Sequence, residues 1–75
     1  MSSFIGFDEA QVKELEKGQE KGLDVHVYAD KSFEAERMWC IRNLMERNLA
    51  YDEFLNHKLN GEAMYKRYKE IKARK

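Results

Sequence analysis

The chain matches itself without gaps at a shift of 26 residues, and no other feature narrows its fold as much. Phe7 falls on Phe33 and Leu59, Val12 on Met38 and Met64, Leu23 on Leu49, Tyr28 on Phe54, and Glu36 on Glu62. Gly22 falls on Asn48, and Gly and Asn are the residues that best tolerate a left-handed backbone. A period of this length points to one supersecondary unit used several times, with a core built by stacking neighbours. The expected units are about 7–32, 33–58 and 59–75 of a single domain spanning 1–75. Arrays of this kind usually make surfaces, so the expectation is a non-enzymatic chain.

The expected fold class is all-α, a small helical repeat of three longer helices joined by short helical turns. The chain has no proline and four glycines, and it is rich in Glu, Lys, Arg, Leu and Met, so helix is the default state. In each unit an apolar residue precedes a capping-type or acidic one: Phe7-Asp8, Phe33-Glu34 and Leu59-Asn60. Five positions later another apolar residue follows, Val12, Met38 or Met64, which is the spacing of a hydrophobic staple. Asp8 and Gln11 have the spacing of a capping box. Glu34 is a poorer cap, so Ser32 is expected to share or take that role. Gly22-Leu23 and Asn48-Leu49 pair a left-handed residue with an apolar one, the mark of a Schellman stop. These signals place helices at about 9–21, 35–47 and 61–73.

Between them lie Asp24-Val-His-Val-Tyr-Ala29 and Ala50-Tyr-Asp-Glu-Phe-Leu55. The first alternates like a strand and the second reads as a helical turn. Because both occupy the same place in the repeat, a short helix is expected for each. The expected core is Phe7, Val12, Leu15, Leu23, Val25, Tyr28, Phe33, Met38, Ile41, Leu44, Met45, Leu49, Tyr51, Phe54, Leu59, Met64 and Ile71.

Seventy-five residues hide only about 60–65% of their unfolded surface, so modest stability is expected unless a partner or second copy adds to it. Cys40 is the single cysteine, which rules out an intrachain disulfide and a Cys-based metal site and fits a reducing compartment. The first residues lack the pattern of a signal peptide, and no run approaches the ~20 apolar residues of a membrane span. The expectation is a soluble, cytoplasmic chain with no membrane association. Net charge is zero but uneven: residues 1–36 hold nine acids and four bases, whereas residues 58–75 hold seven bases and two acids. Such a gradient steers binding to a polar partner or favours head-to-tail self-contact; the plainer reading is a set of solvated helix faces.

The stretch Gln11-Val-Lys-Glu-Leu-Glu-Lys-Gly18-Gln-Glu-Lys-Gly22-Leu-Asp-Val25-His-Val-Tyr28-Ala29, with Phe33-Glu-Ala-Glu-Arg-Met38-Trp-Cys-Ile41-Arg42, resembles a repeat in small proteins of Firmicutes phages and mobile elements. There a phenylalanine leads into Q-M-x-x-I-R, then G-L-x-x-G-L-D-V and Y-A. The resemblance covers about residues 7–50. Arg37 stands where Gln is usual, and Leu44 and Asn48 replace the two glycines in the second unit. The resemblance implies a setting and no chemistry: small phage proteins that bind and redirect larger host machines, defence complexes such as CRISPR nucleases included. For a phage-encoded chain that setting is the host cytoplasm.

Individual residues carry little catalytic promise. His26 and His57 lack the neighbours that a metal site needs and are expected at the surface, so no metal or other cofactor is expected. Acid pairs such as Asp8/Glu9 and Asp52/Glu53 are adjacent, and helix neighbours point apart. Cys40 shares its register with Glu14 and Lys66, which predicts an exposed thiol; a buried thiol acting as a small hydrophobe is the alternative. Trp39 and Tyr65 share the register of Lys13, which places both on a solvent face as anchors of a protein interface. A place in the core is the competing reading for both rings. Arg42, Arg47 and Tyr68 are expected near the rim of that patch. The run from Tyr65 to Lys75 interleaves rings with Lys66, Arg67, Lys69, Lys72, Arg74 and Lys75, as a nucleic-acid-binding helix does, though cations also suit any helix C-terminus. The leading expectation is a module that occludes a larger host or phage complex. Nucleic-acid binding through residues 65–75 and a structural homo-oligomer are the alternatives.

Overall fold

Asp8 starts the first helix with reciprocal hydrogen bonds. The Gln11 N–H donates to Asp8 Oδ1 at 2.8 Å, and the Asp8 N–H donates to Gln11 Oε1 at 2.8 Å. In the computed structural model, which describes residues 4–74, α1 runs Glu9–Glu20, α2 Ala35–Glu46 and α3 Gly61–Arg74. The three starts keep the 26-residue spacing. Helices α1 and α2 both end in Schellman motifs, with Leu23 N–H on Gly18 O and Leu49 N–H on Leu44 O at 2.9 Å each. Gly22 and Asn48 take the left-handed positions at φ 75° and 57°. Glu34 caps α2 by backbone position alone, because its side chain turns to Arg37. Ser32 does not take over the cap. Its Oγ donates to Asp30 Oδ1 at 2.7 Å.

Both linking segments contain 3-10 turns, Val25–Val27 and Asp52–Leu55. The strand-like alternation of the first is overridden by Asp24, whose side chain accepts from the His26 N–H at 3.2 Å. The turns drive Val25, Tyr28 and Phe54 into the core as plugs. Among the described residues no helix is long and apolar enough to cross a membrane.

Helix α2 lies between its neighbours and is covered on both sides. The residues buried in α1 are Gln11, Leu15 and Gly18, and those in α3 are Met64, Tyr68 and Ile71. Carried by 26 residues onto α2, the two sets become Arg37, Ile41, Leu44 and Met38, Arg42, Met45. Of these six, five are buried and Met45 is packed against the core. Each fully buried Leu, Ile or Met removes enough apolar surface to contribute about 1.5–3 kcal/mol. Most of the expected core is buried; Phe7, Met45, Leu49, Tyr51 and Leu59 pack on it partly buried, and Val12 and Leu23 are half-buried. The core also takes in Cys40 and Tyr68, which the sequence reading left outside it.

Two buried polar side chains join each segment to the next. Gln11 Nε2 donates to Phe33 O at 2.7 Å. Arg37, at the matching position of α2, donates to Phe54 O at 3.1 Å, Asn56 O at 2.8 Å and Leu59 O. Phe33 and Leu59 are themselves matching residues. Ala63 stands third in that series and has no side chain with which to reach forward.

Candidate functional site

The exposed edge of α2 faces an open groove of about 440 Å³ between α1 and α3. Ala35, Glu36, Trp39 and Cys40 form its floor, Met64 and Tyr65 one wall, and Glu14 the other. Trp39 and Tyr65 meet here with ring centroids 6.3 Å apart. Tyr65 is 49% exposed, while Trp39 is half-buried and packs on the core. Trp39 therefore serves both the core and the groove, and Tyr65 is the more exposed ring of the two. Lys13, which shares their register, is exposed as the sequence reading required. Of the remaining lining residues, the sequence marks Met64 as core and Cys40 as an exposed thiol, and none as a contact residue. Ala35, Glu36 and Cys40 stand four and three before and one after Trp39, so the helical period around that ring held the signal for the first two.

The expected rim is rearranged. Tyr68 is 4% exposed and lies beneath the patch, 5.0 Å from Trp39 and 6.1 Å from Tyr65 between centroids. Arg42 is 6% exposed and holds α1 to α2, with its Nε donating to Glu14 Oε1 at 2.9 Å and its Nη1 paired with Glu46. Burial works against its charge, but the Glu14 and Glu46 carboxylates outweigh that and raise its pKa above the ordinary arginine value. Arg47 is exposed but caps the C-terminus of α2, eight residues and about 12 Å along the axis from Trp39. Neither arginine borders the ring pair, so the contact patch is smaller and more apolar than expected.

The register argument fails for Cys40, which is 2% exposed. Glu14 tolerates the same register because it is paired with Arg42, and Lys66 because α3 has no further helix outside it. Desolvation by burial, reinforced by Glu36, pushes the Cys40 thiol up to about 11, so it stays neutral at ordinary pH. His26 and His57 are exposed, as expected. His26 Nδ1 lies 3.2 Å from Asp24 Oδ1, and His57 Nε2 lies 3.3 Å from Ser32 Oγ. Among the described residues no three His, Cys, Asp or Glu side chains gather where they could hold a metal ion.

The basic helix is partly committed within the chain. Arg67 binds Glu53 at 2.8 Å and Glu70 at 3.1 Å. Lys69 Nζ sits 5.0 Å from the Tyr65 centroid and Lys72 Nζ 5.9 Å from that of Tyr68. Lys66 and Arg74 are exposed, and Lys75 lies outside the described residues. Tyr65 thus has Trp39, Tyr68 and Lys69 around its ring, which limits the open face available for stacking a base. A scan of protein-family models, a search of curated proteins and a search of solved structures return no match to this chain.

Proposed function

We propose that this chain is a non-enzymatic docking module that works by occlusion, its groove face seating on a larger protein complex. In the setting implied by the phage-type repeat, that complex belongs to the host or phage, defence effectors included. The observation that carries the reading is the open groove in which half-exposed Tyr65 stands beside Trp39. Aromatic rings at the centre of a patch supply most of the energy of protein interfaces, while charged groups around them set orientation and on-rate. Helices locked by Schellman stops and buried polar ties hold those rings in place before binding, which lowers the ordering cost of association.

Tyr65→Ala tests the reading more cleanly than Trp39→Ala, because Trp39 is also packed on the core. Affinity capture from host lysate, run with and without nuclease, should retain one stoichiometric protein partner that Tyr65→Ala releases. The variant's helical signal and melting temperature should stay close to those of the parent. Capture undiminished by Tyr65→Ala would sink the groove as the docking face. Recovery that collapses with nuclease and falls steeply with salt would move the function to Lys66, Lys69, Lys72 and Arg74 on α3.

A further inference from the structure

The two lateral flanks of the array and its groove face differ in what they can bind. Leu15 and Gly18 of α1 correspond to Ile41 and Leu44 of α2, all four of them buried. At the matching positions α3 carries Arg67 and Glu70, which pair with each other at 3.1 Å. On the opposite side, Met64, Tyr68 and Ile71 of α3 correspond to Val12, Glu16 and Gln19 of α1. The flanks therefore carry Arg67 and Glu70 on one side and Glu16 and Gln19 on the other, with Val12 the apolar exception, much as terminal repeats do when they close a stack. Head-to-tail growth would bring the charged Arg67 and Glu70 of one copy against Glu16 of the next.

The groove face has a different order. Along α3, Glu62, Tyr65 and Lys69 fall at positions i, i+3 and i+7 and are all exposed, so they form one stripe of acid, ring and base. Glu36 and Trp39 repeat the first two members beside it and line the same groove. Rotating a second copy by 180° about an axis through the ring pair reverses this order. Each Glu62 then faces the other copy's Lys69, with Glu36 beside it, and the rings meet at the centre. A patch with such an order is complementary to itself, which is what an isologous two-fold interface requires. We infer that the groove face of this chain pairs with a second copy of itself in an antiparallel, two-fold dimer held by Trp39 and Tyr65 and registered by Glu62 and Lys69. This inference rests on the reading of the groove as a docking face. The molecule measures 38 × 23 × 15 Å, so even its broadest face limits an interface to the standard size of about 800 Å² per partner. The dimer is accordingly concentration-dependent and competes with any other protein that uses the groove.

Sedimentation equilibrium of the full chain, from about 5 μM to about 1 mM, tests this together with two charge reversals. Glu62→Lys and Lys69→Glu should each weaken the dimer by at least about tenfold, because each turns two attractive pairs into repulsive ones. Mixing the two variants should restore dimer, since a lysine of one variant then faces a glutamate of the other at both contacts, one pair reversed and one as in the parent. Circular dichroism of each variant checks that the helices persist. A chain that is monomeric throughout overturns the inference, as does a dimer indifferent to both reversals or a mixture that fails to recover. Tyr65-dependent capture of a partner by a strictly monomeric chain would leave the docking reading standing while removing self-pairing. A rescued dimer with no Tyr65-dependent partner would uphold self-pairing and remove the other.

Discussion

Gly18 and Tyr28 show how one atom sets a residue choice. A Cβ on Gly18 would lie 2.1 Å from Tyr28 Oη and 2.6 Å from Val25 Cγ1. The tyrosine cannot retreat, because it is fully buried and its hydroxyl donates to Glu14 O at 2.7 Å. In the second segment Leu44 stands for the glycine and Phe54 for the tyrosine, so the bulk and the hydroxyl are exchanged together. Gly18→Ala gains up to about 1 kcal/mol of helix propensity and loses about 1–3 kcal/mol to overpacking. Net destabilisation is expected, and Tyr28→Phe should cost less in the Gly18→Ala background than in the parent. Urea midpoints around that double-mutant cycle check it; equal costs in both backgrounds would remove the steric explanation. Burial also shapes the alkaline limit. Desolvation raises Cys40 from 9.0 to about 11 and Tyr28 from 10.0 to about 12. Both groups hold their protons longer when folded, so the unfolded chain releases them first. Stability should fall as pH rises past about 9 towards 12, and Cys40→Ala should flatten the first part of that fall in urea titrations between about pH 8 and pH 10.5.

At the scale of the elements, the ends of the helices were legible in the sequence because short-range bonds set them. The Asp8–Gln11 box and the Gly22-Leu23 and Asn48-Leu49 stops need only neighbours along the chain. The burial of Cys40 and Arg42 was not legible, because it depends on α2 being covered from two sides, and that of Tyr68 was not, because it depends on α3 packing against Trp39 of α2. A register comparison with α1 or α3 samples helices covered from one side only. The Arg42–Glu14 pair spans 28 residues, beyond any local spacing rule. The Arg37 anchor escaped notice for the same reason: its acceptors lie 17 to 22 residues on. Arg37→Met should cost about 2–4 kcal/mol, since it leaves the buried carbonyl of Phe54 and those of Asn56 and Leu59 without their donor. Amide exchange should quicken most in α3 and the Asp52–Leu55 turn, with α1 keeping more of its protection. A uniform loss across all three helices would mean that Arg37 serves the whole core and not this one joint.

At the scale of the molecule, the charge gradient of the sequence is partly consumed by pairs between successive segments. Lys21 reaches Glu46 at 3.6 Å, Arg42 joins Glu14, and Arg67 joins Glu53. The acids Glu9, Glu16 and Glu20 of α1 and the cations Lys66, Lys72 and Arg74 of α3 stay exposed outside those pairs, so part of the gradient survives at the surface beside the acid–ring–base stripe. The ring pair itself could be read from register, but its sharing of Trp39 with the core could not, because that depends on Met64 and Tyr68 arriving from α3. The forward direction of the Gln11 and Arg37 ties has a consequence for how the chain is made. Each donor belongs to an earlier residue than its acceptors, and Arg37 waits for carbonyls as late as Leu59. As the chain leaves the ribosome N-terminus first, the first joint can close while the last helix is still being synthesised. The second leaves the Arg37 guanidinium with Glu34 but without its three carbonyl acceptors until the chain has passed Leu59. A chain cut short before Phe54 thus leaves Arg37 without its carbonyl acceptors, whereas one missing its first segment removes both the Gln11 donor to Phe33 O and the Glu14 partner of Arg42. A fragment ending near residue 55 therefore keeps the first joint and lacks most of the second.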